Sequence, residues 1–292
     1  MKGLIVTADD FGAAVEVNEA VELAHRAGIL TAASLMVKAP AAADAVSRAK
    51  RMPALRVGLH LVFTEGQPVL PPSAVPDLVD ESGAFRSDMI ALGRILMCSR
   101  HAQRQLAAEI AAQFEAFRAT GLPLDHCNAH RHFHLHPVIA SLLIAVGRRF
   151  GLRSVRVPRE PVAPLLPLAG RRPSLEGLLT ALFAWELRRK VVNSGIHAPD
   201  QVFGLRWSGQ MTKTRLLHLI GRLPEGLSEI YLHPATGAFL GHAKGYQYEG
   251  ELDALIDPDV IAACREGSLT MGGYADYLSR VPQSMHLPVE AA

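Results

Sequence analysis

Leu4-Ile5-Val6-Thr7-Ala8-Asp9-Asp10-Phe11-Gly12 is the stretch on which the fold turns. A short apolar, β-branched run ending in acidic residues and Phe-Gly is the pattern of a buried strand giving way to a turn. Working outward, residues 18–27 read as a helix stopped by Gly28. Strands follow at 33–37 and 56–62, with an Ala-rich helix at 41–50 between them. Further on, helices are expected at 103–120, 138–150 and 175–192, and strands at 124–136 (passing into a loop), 154–157 and 229–233. The last helices lie near 249–255, 258–266 and 273–280. Strand–helix alternation over this length implies a mostly parallel sheet, so the class is α/β, either doubly wound or a barrel. Residues 66–88 interrupt the rhythm with Pro68, Pro71, Pro72 and Pro76, and loops that long in a compact domain usually serve function.

Composition narrows the function classes. The 292 residues are 49% hydrophobic and 20% charged, which excludes a disordered chain, and 30 basic against 28 acidic residues give no basic face for nucleic acid. No GxGxxG follows the first strand and no Walker loop occurs, so a nucleotide site has no support. The three cysteines, Cys98, Cys127 and Cys264, are far apart and form no CxxC pair, as expected in a reducing compartment. The apolar start is too short for a signal-peptide core, and the apolar stretch 138–146 is well short of the roughly 18 residues a membrane span needs. A cytoplasmic protein is expected, and none of this argues against peripheral membrane contact.

The unusual count is histidine: 13 residues, five of them between His126 and His136. Four strands end in candidate ligands: Asp9 and Asp10, His60, His130 and His233. Titratable groups at the C-terminal ends of successive parallel strands are where (β/α) barrels place chemistry. On an extended chain Asp9 and Asp10 would point to opposite sides, freeing one carboxylate for a metal and the other as a base; the alternative is a helix cap beside a solvated acid. His60, inside an apolar strand, reads as a ligand or as a buried histidine bonded to backbone. His130, His132, His134 and His136 alternate, so an extended segment would carry all four on one face over about 20 Å, too far for a single ion to take them all. His233, before Pro234, reads as a general acid or base or as a simple turn histidine. Asp with two His is a ligand set that leaves positions open for water and substrate, and a spare carboxylate and imidazole then make a metal-assisted hydrolase of amides or esters.

Thr7-Ala8-Asp9-Asp10-Phe11-Gly12 with Asn18, Val57-Gly58-Leu59-His60-Leu61, Asn128-Ala129-His130-Arg131-His132-Phe133-His134 and Leu232-His233-Pro234-Ala235, in that order, resemble the YdjC-like (ChbG) carbohydrate deacetylases. The resemblance implies a distorted TIM-like (β/α) barrel related to polysaccharide deacetylases. It implies a single domain over 1–285 with excursions at 64–100 and 160–200, and a tail at 286–292. It also implies removal of acetyl from an N-acetylated amino sugar with one divalent metal. Carried over, Asp10, His60 and His130 are the metal ligands, Asp9 the general base and His233 the general acid. Asn128, His132, His134 and Arg156 are candidates for contacts to substrate or to the ligands. The family often has Asp-Ser-His where this chain has Asn128-Ala129-His130, which removes a charge from beside the ligands. The donor types suit Zn2+, while the family association is also with Mg2+.

Within that family the stretches 15–21, 124–130 and 155–161 are most similar to the hopanoid-biosynthesis branch (HpnK), which implies an N-acetylglucosaminyl bacteriohopanetetrol as substrate. A lipid-linked sugar needs an apolar approach. Residues 178–185, followed by Arg188-Arg189-Lys190, and residues 89–97 offer one, so the 165–195 segment is expected to form a lipid-facing wall at the inner membrane surface, with ordinary helix or dimer packing as the alternative. Other readings are a deacetylase of chitooligosaccharides or another acetylated sugar, and a metal- or sugar-binding protein without catalysis. A homodimer is the commonest assembly for such a chain.

Overall fold

The computed structural model describes residues 2–169, 175–267 and 269–278. Its centre is a parallel sheet of β1 (Lys2–Phe11), β2 (Ala32–Leu35), β3 (Arg56–Leu61), β4 (Cys127–Ala129), β5 (Gln201–Phe203) and β6 (Gly226–Leu232), in the order β4-β3-β2-β1-β6-β5, with β7 (Thr270–Met271) beside the start of β1. Helices α1 (Val15–Ala27), α2 (Ala42–Lys50), α3 (Met89–Cys98), α4 (Arg100–Ala119) and α5 (Pro137–Arg149) follow the first four strands. After them come α6 (Leu166–Ala169), α7 (Leu175–Asn193), α8 (Lys213–Ile220), α9 (Tyr248–Ile256), α10 (Pro258–Glu266) and α11 (Tyr274–Leu278).

The sheet curls until its edges are stitched together. Cys127 N donates to Ser154 O (3.0 Å) and Arg156 N to Cys127 O (3.0 Å), so the segment expected as a strand at 154–157 lies beside β4. Val155 N then reaches His197 O (2.9 Å), and Val202 N, in β5, reaches Arg159 O (2.9 Å). The expected strand is present only as the isolated bridges Cys127↔Val155 and Ser154↔His197. The result is the α/β fold of a distorted TIM-like barrel closed by an irregular ribbon.

Alternation along the strands sorts the two faces. Leu4, Val6 and Ala8 point outward into the helix-covered core, with Ala20, Val21, Ala33, Leu59 and Ile230. Ile5, Ala32, Leu227 and Tyr274 form a separate apolar plug inside the curl. Above the plug the interior is polar: Thr7, Asp9, Ser34, His60, Asn128, Arg156 and Glu229 are all buried. Gly58 faces this interior because a Cβ there would stand 2.5 Å from the ring of His126.

The segment after β3 is held down from α4. Gln105, Glu109 and Gln113 lie four residues apart on one buried stripe. Glu109 accepts from Val69 N and Leu70 N, Gln113 exchanges two hydrogen bonds with Val62, and Gln105 accepts from Asp77 N. Among the described residues no helix is long and apolar enough to cross a membrane. The tail 286–292 and the last residues of the expected helix 273–280 lie outside the described residues.

Candidate metal and acid–base site

Every residue of the site stands at the C-terminal mouth of the curled sheet. Asp9 and Asp10 end β1, but they do not point to opposite sides as an ideal strand would have them. Pairing with β2 slips between Ala8 and Phe11, and Asp10 takes φ +60°, a left-handed value that costs a non-glycine residue energy. This bulge turns both carboxylates to the mouth. Neither caps α1, whose cap position is Ala14. Gly12, at φ +97°, continues the turn and donates its N–H to Asn18 Oδ1 (2.8 Å), so the Asp-Asp-Phe-Gly segment is anchored on α1.

Asp10 Oδ1 lies 3.3 Å from His60 Nε2 and 3.0 Å from His130 Nδ1. These separations match the edges, about 3.0–3.4 Å, of a coordination shell whose bonds are about 2.1 Å. His60 Nδ1 donates to Asn128 Oδ1 at 2.6 Å, which leaves the Nε2 lone pair toward Asp10. Asp10, His60 and His130 are the one group among the described residues with the donors and spacing to hold a metal ion. Burial disfavours charge on both Asp10 and His130, but they overcome it together: Asp10 falls well below the carboxylate range and His130 is raised to about 10.

Asp9 belongs to a different network. Its Oδ2 accepts from Arg156 Nη1 at 2.5 Å and its Oδ1 from Asn128 Nδ2 at 3.3 Å. Arg156 reaches across the interior to Glu229 through Nε (3.0 Å) and Nη2 (2.7 Å), and Glu229 also accepts from Thr7 Oγ1 (2.7 Å) and Tyr274 Oη (2.5 Å). Burial alone would raise the Asp9 pKa, but Arg156, through its charge and its hydrogen bond, holds the carboxyl well below the usual range. Asn128 therefore touches both networks: its carbonyl orients His60, and its amide reaches Asp9 and Ser34.

The expected histidine ladder is not formed. Residues 130–135 make a tight 3-10 turn in which Arg131 and His132 both have φ +53°, so the four rings diverge. His130 joins Asp10. His132 Nε2 meets Tyr231 Oη (2.9 Å), His134 Nε2 donates to Arg156 O (2.9 Å), and His136 stands at the start of α5 beside Gly93. Burial lowers His132, and it lowers His134 to about 4, so both rings are neutral at pH 7.

His233 follows β6. Its backbone N–H donates to Glu251 Oε2 (2.5 Å), its ring lies 5.1 Å from that of Tyr246, and its buried Nδ1 has no hydrogen-bond partner among the described residues. Its ring also stands edge-on to that of Tyr231, 5.7 Å away. Neither Glu229 nor Tyr231 is among the residues the sequence points to, although both alternate along β6 and so share its inner face, with His233 two residues beyond Tyr231. A charged residue inside an apolar strand was the available signal. Ser34, Glu65 and Glu251 carried none, because their partners are distant in the chain.

A family model described as YdjC-like protein matches residues 3–266. A carbohydrate deacetylase of Geobacillus stearothermophilus is 31% identical over 277 residues, 94% of this chain and 97% of that protein. A carbohydrate deacetylase of Thermoanaerobacter pseudethanolicus is 26% identical over 278 residues, 94% of this chain and 99% of its own length. The fold is similar to a crystal structure from Enterococcus faecalis, a candidate cellobiose-phosphate cleavage protein, with TM-score 0.76 and 24% identity over 94% of this chain and 98% of that one. With 3–266 matched from the first strand through α10, this chain belongs to the YdjC-like family.

Proposed function

We propose that this chain is a metal-dependent carbohydrate deacetylase that hydrolyses the amide of an N-acetylglucosaminyl substrate. The observation that carries the reading is the pair left over beside the candidate ligands: an ionised carboxylate, Asp9, and an imidazole, His233, whose Nδ1 has no partner among the described residues. A protein that only bound metal or sugar would need neither. Full-length similarity to two carbohydrate deacetylases supports the same reaction class.

Asp10, His60 and His130 would hold one divalent ion, Zn2+ by donor type or Mg2+, which supplies Lewis acidity toward the acetyl carbonyl and its attacking water. Arg156 keeps Asp9 ionised and fixed in direction, so the carboxylate accepts a proton from the water as its oxygen bonds to the carbonyl carbon. His233 gives a proton to the nitrogen as the C–N bond breaks, and acetate and a free amine leave. Asn128 keeps the two halves in register by bonding to His60 and to Asp9. The buried neutral His132 and His134 shape the floor, His132 through Tyr231 and His134 through the Arg156 carbonyl. The test is acetate release from an N-acetylated sugar by wild type and by Asp9→Asn, with metal content measured in both. Full activity in Asp9→Asn would remove the role.

For the substrate, the reading extends to a lipid-linked sugar, an acetylglucosaminyl hopanoid, met at the inner membrane surface. Its support is an apolar face on the excursion at 160–200: Leu178, Leu182 and Trp185 of α7 are 58%, 58% and 59% exposed, and Leu179 and Phe183 are also exposed. Among the described side chains of that helix, only Ala184, Leu187 and Val191 turn into the core. Liposome co-sedimentation of wild type against the double variant Phe183→Asp, Trp185→Glu tests the wall, and equal, negligible sedimentation of both would remove it. Mass spectrometry for loss of one acetyl, on chitobiose and on the glycosylated hopanoid in parallel, separates the two substrates.

A further inference from the structure

Among the described residues, four other than glycine adopt left-handed backbone: Asp10, Glu65, Arg131 and His132. Asp10 lies in the bulge of β1, and Arg131 and His132 lie in the tight turn after β4. Glu65 (φ +56°) belongs to neither, yet it is the partner of Arg131 (φ +53°): Arg131 Nε and Nη2 donate to Glu65 Oε2 (2.9 Å) and Oε1 (2.7 Å) in a two-pronged pair. The pair is at the surface, with side chains 38% and 51% exposed, and surface ion pairs add little to stability. Two strained backbone positions held for so small a gain point to another purpose.

Their location supplies it. Glu65 lies four residues after the end of β3, the strand of His60, and Arg131 directly follows His130 at the end of β4. The pair therefore ties together the two loops that leave the strands of the two imidazole ligands. Glu65 Oε2 also stands 3.6 Å from His130 Nε2, on the far side of the ring from Asp10, which faces Nδ1 at 3.0 Å. The two nitrogens of one imidazole point away from each other, so Glu65 is not positioned to ligate an ion held by Nδ1. It faces the opposite nitrogen as an ion-pair partner at 3.6 Å, a longer approach than the 2.6 Å hydrogen bond that Asn128 accepts from His60 Nδ1.

We propose that Glu65 is a positioning residue for His130: its carboxylate takes the Nε2–H, Nδ1 is left for the metal, and Arg131 locks the carboxylate in place. The inference rests on the Asp10-His60-His130 metal site. It makes the two ligands unequal, His60 oriented by a neutral amide and His130 by a carboxylate that a surface arginine can release.

Calorimetric titration of the metal-free full-length protein with Zn2+, and with Co2+ for its visible absorption, tests this in wild type, Glu65→Gln, Arg131→Gln and Asp10→Asn. Glu65→Gln is expected to weaken metal binding about 10- to 100-fold, the usual cost of removing such a partner, and to shift the Co2+ bands. Arg131→Gln is expected to fall between it and wild type, with the melting temperature of the metal-free protein unchanged in both. At saturating metal, KM for the acetylated sugar stays at the wild-type value. Wild-type metal affinity and Co2+ spectrum in Glu65→Gln, beside a wild type that binds and an Asp10→Asn that does not, would overturn the role of Glu65 while leaving the metal site standing. A raised KM with unchanged metal affinity would make Glu65 a sugar contact instead and also overturn it. A wild type that binds neither ion would overturn the metal site and this inference with it.

Discussion

Asp9 and Asp10 are the same residue type, adjacent in the chain, and they live in opposite surroundings. The Asp9 side is closed: Arg156 and Glu229 are fully buried, and each carboxylate of the trio is satisfied by the guanidinium or by Asn128, Thr7 and Tyr274. The Asp10 side is partly open, with Asp10 and His130 at 18% and 20% exposure, and its partners are imidazoles able to give up a proton. One bulge with a left-handed residue makes the difference. Adjacent acids can thus be assigned separate tasks without any change of side chain, because the backbone decides which neighbours each one meets.

The sharpest way to break the contrast is on the Asp10 side. Asp10→Asn or His60→Ala is expected to abolish tight metal binding and to lower deacetylation by about a thousandfold or more, the scale of losing a preorganised electrostatic stabiliser. Metal analysis and acetate release read both. Asp9→Asn is expected to lower turnover by about 10²- to 10⁴-fold, the contribution of a general base, with metal content retained. Loss of metal in that variant would merge the two sides.

The closed side should show itself in stability. Arg156→Met leaves Asp9 and Glu229 buried without a cation and is expected to cost about 3–5 kcal/mol in denaturant unfolding. Because the Asp9 pKa is depressed on folding, its contribution is present above its unfolded value near 4 and is lost as pH falls. The open side has the reverse sign. His130 is raised to about 10 in the metal-free protein, so its contribution is full below its unfolded value near 6.5 and is lost as pH rises through about 10. At pH 8 metal binding is therefore expected to release about one proton, read from the buffer dependence of the binding enthalpy and absent in His130→Ala. The smallest effect expected is for Asn128→Asp, which places a charge between the two sides. A few-fold tighter metal and a slightly destabilised Asp9 carboxylate would show that Asn128 separates them.

Much of this site was legible in the chain. Asp9, Asp10, His60, His130 and His233 each close an apolar strand, and parallel strands deliver their C-terminal ends to one mouth. The histidine repeat misled because alternation implies one face only if the segment is extended, and Arg131 and His132 turn it into a tight coil instead. Local pattern reports what an ideal strand would do. It carries no sign of a left-handed residue that the surrounding contacts impose.

The amino-acid order by itself determined the α/β class, the parallel strands and the short list of chemical residues, since these follow from periodicity and from the placement of polar groups at strand ends. Only the tertiary structure decided that Arg156 spans the interior from Asp9 to Glu229, that Asn128 links His60 to Asp9, and that Glu65 and Arg131 join two loops far apart in sequence. Those pairings depend on how far the sheet curls before its edges meet, and curling is a property of all the strands together, which no single segment encodes.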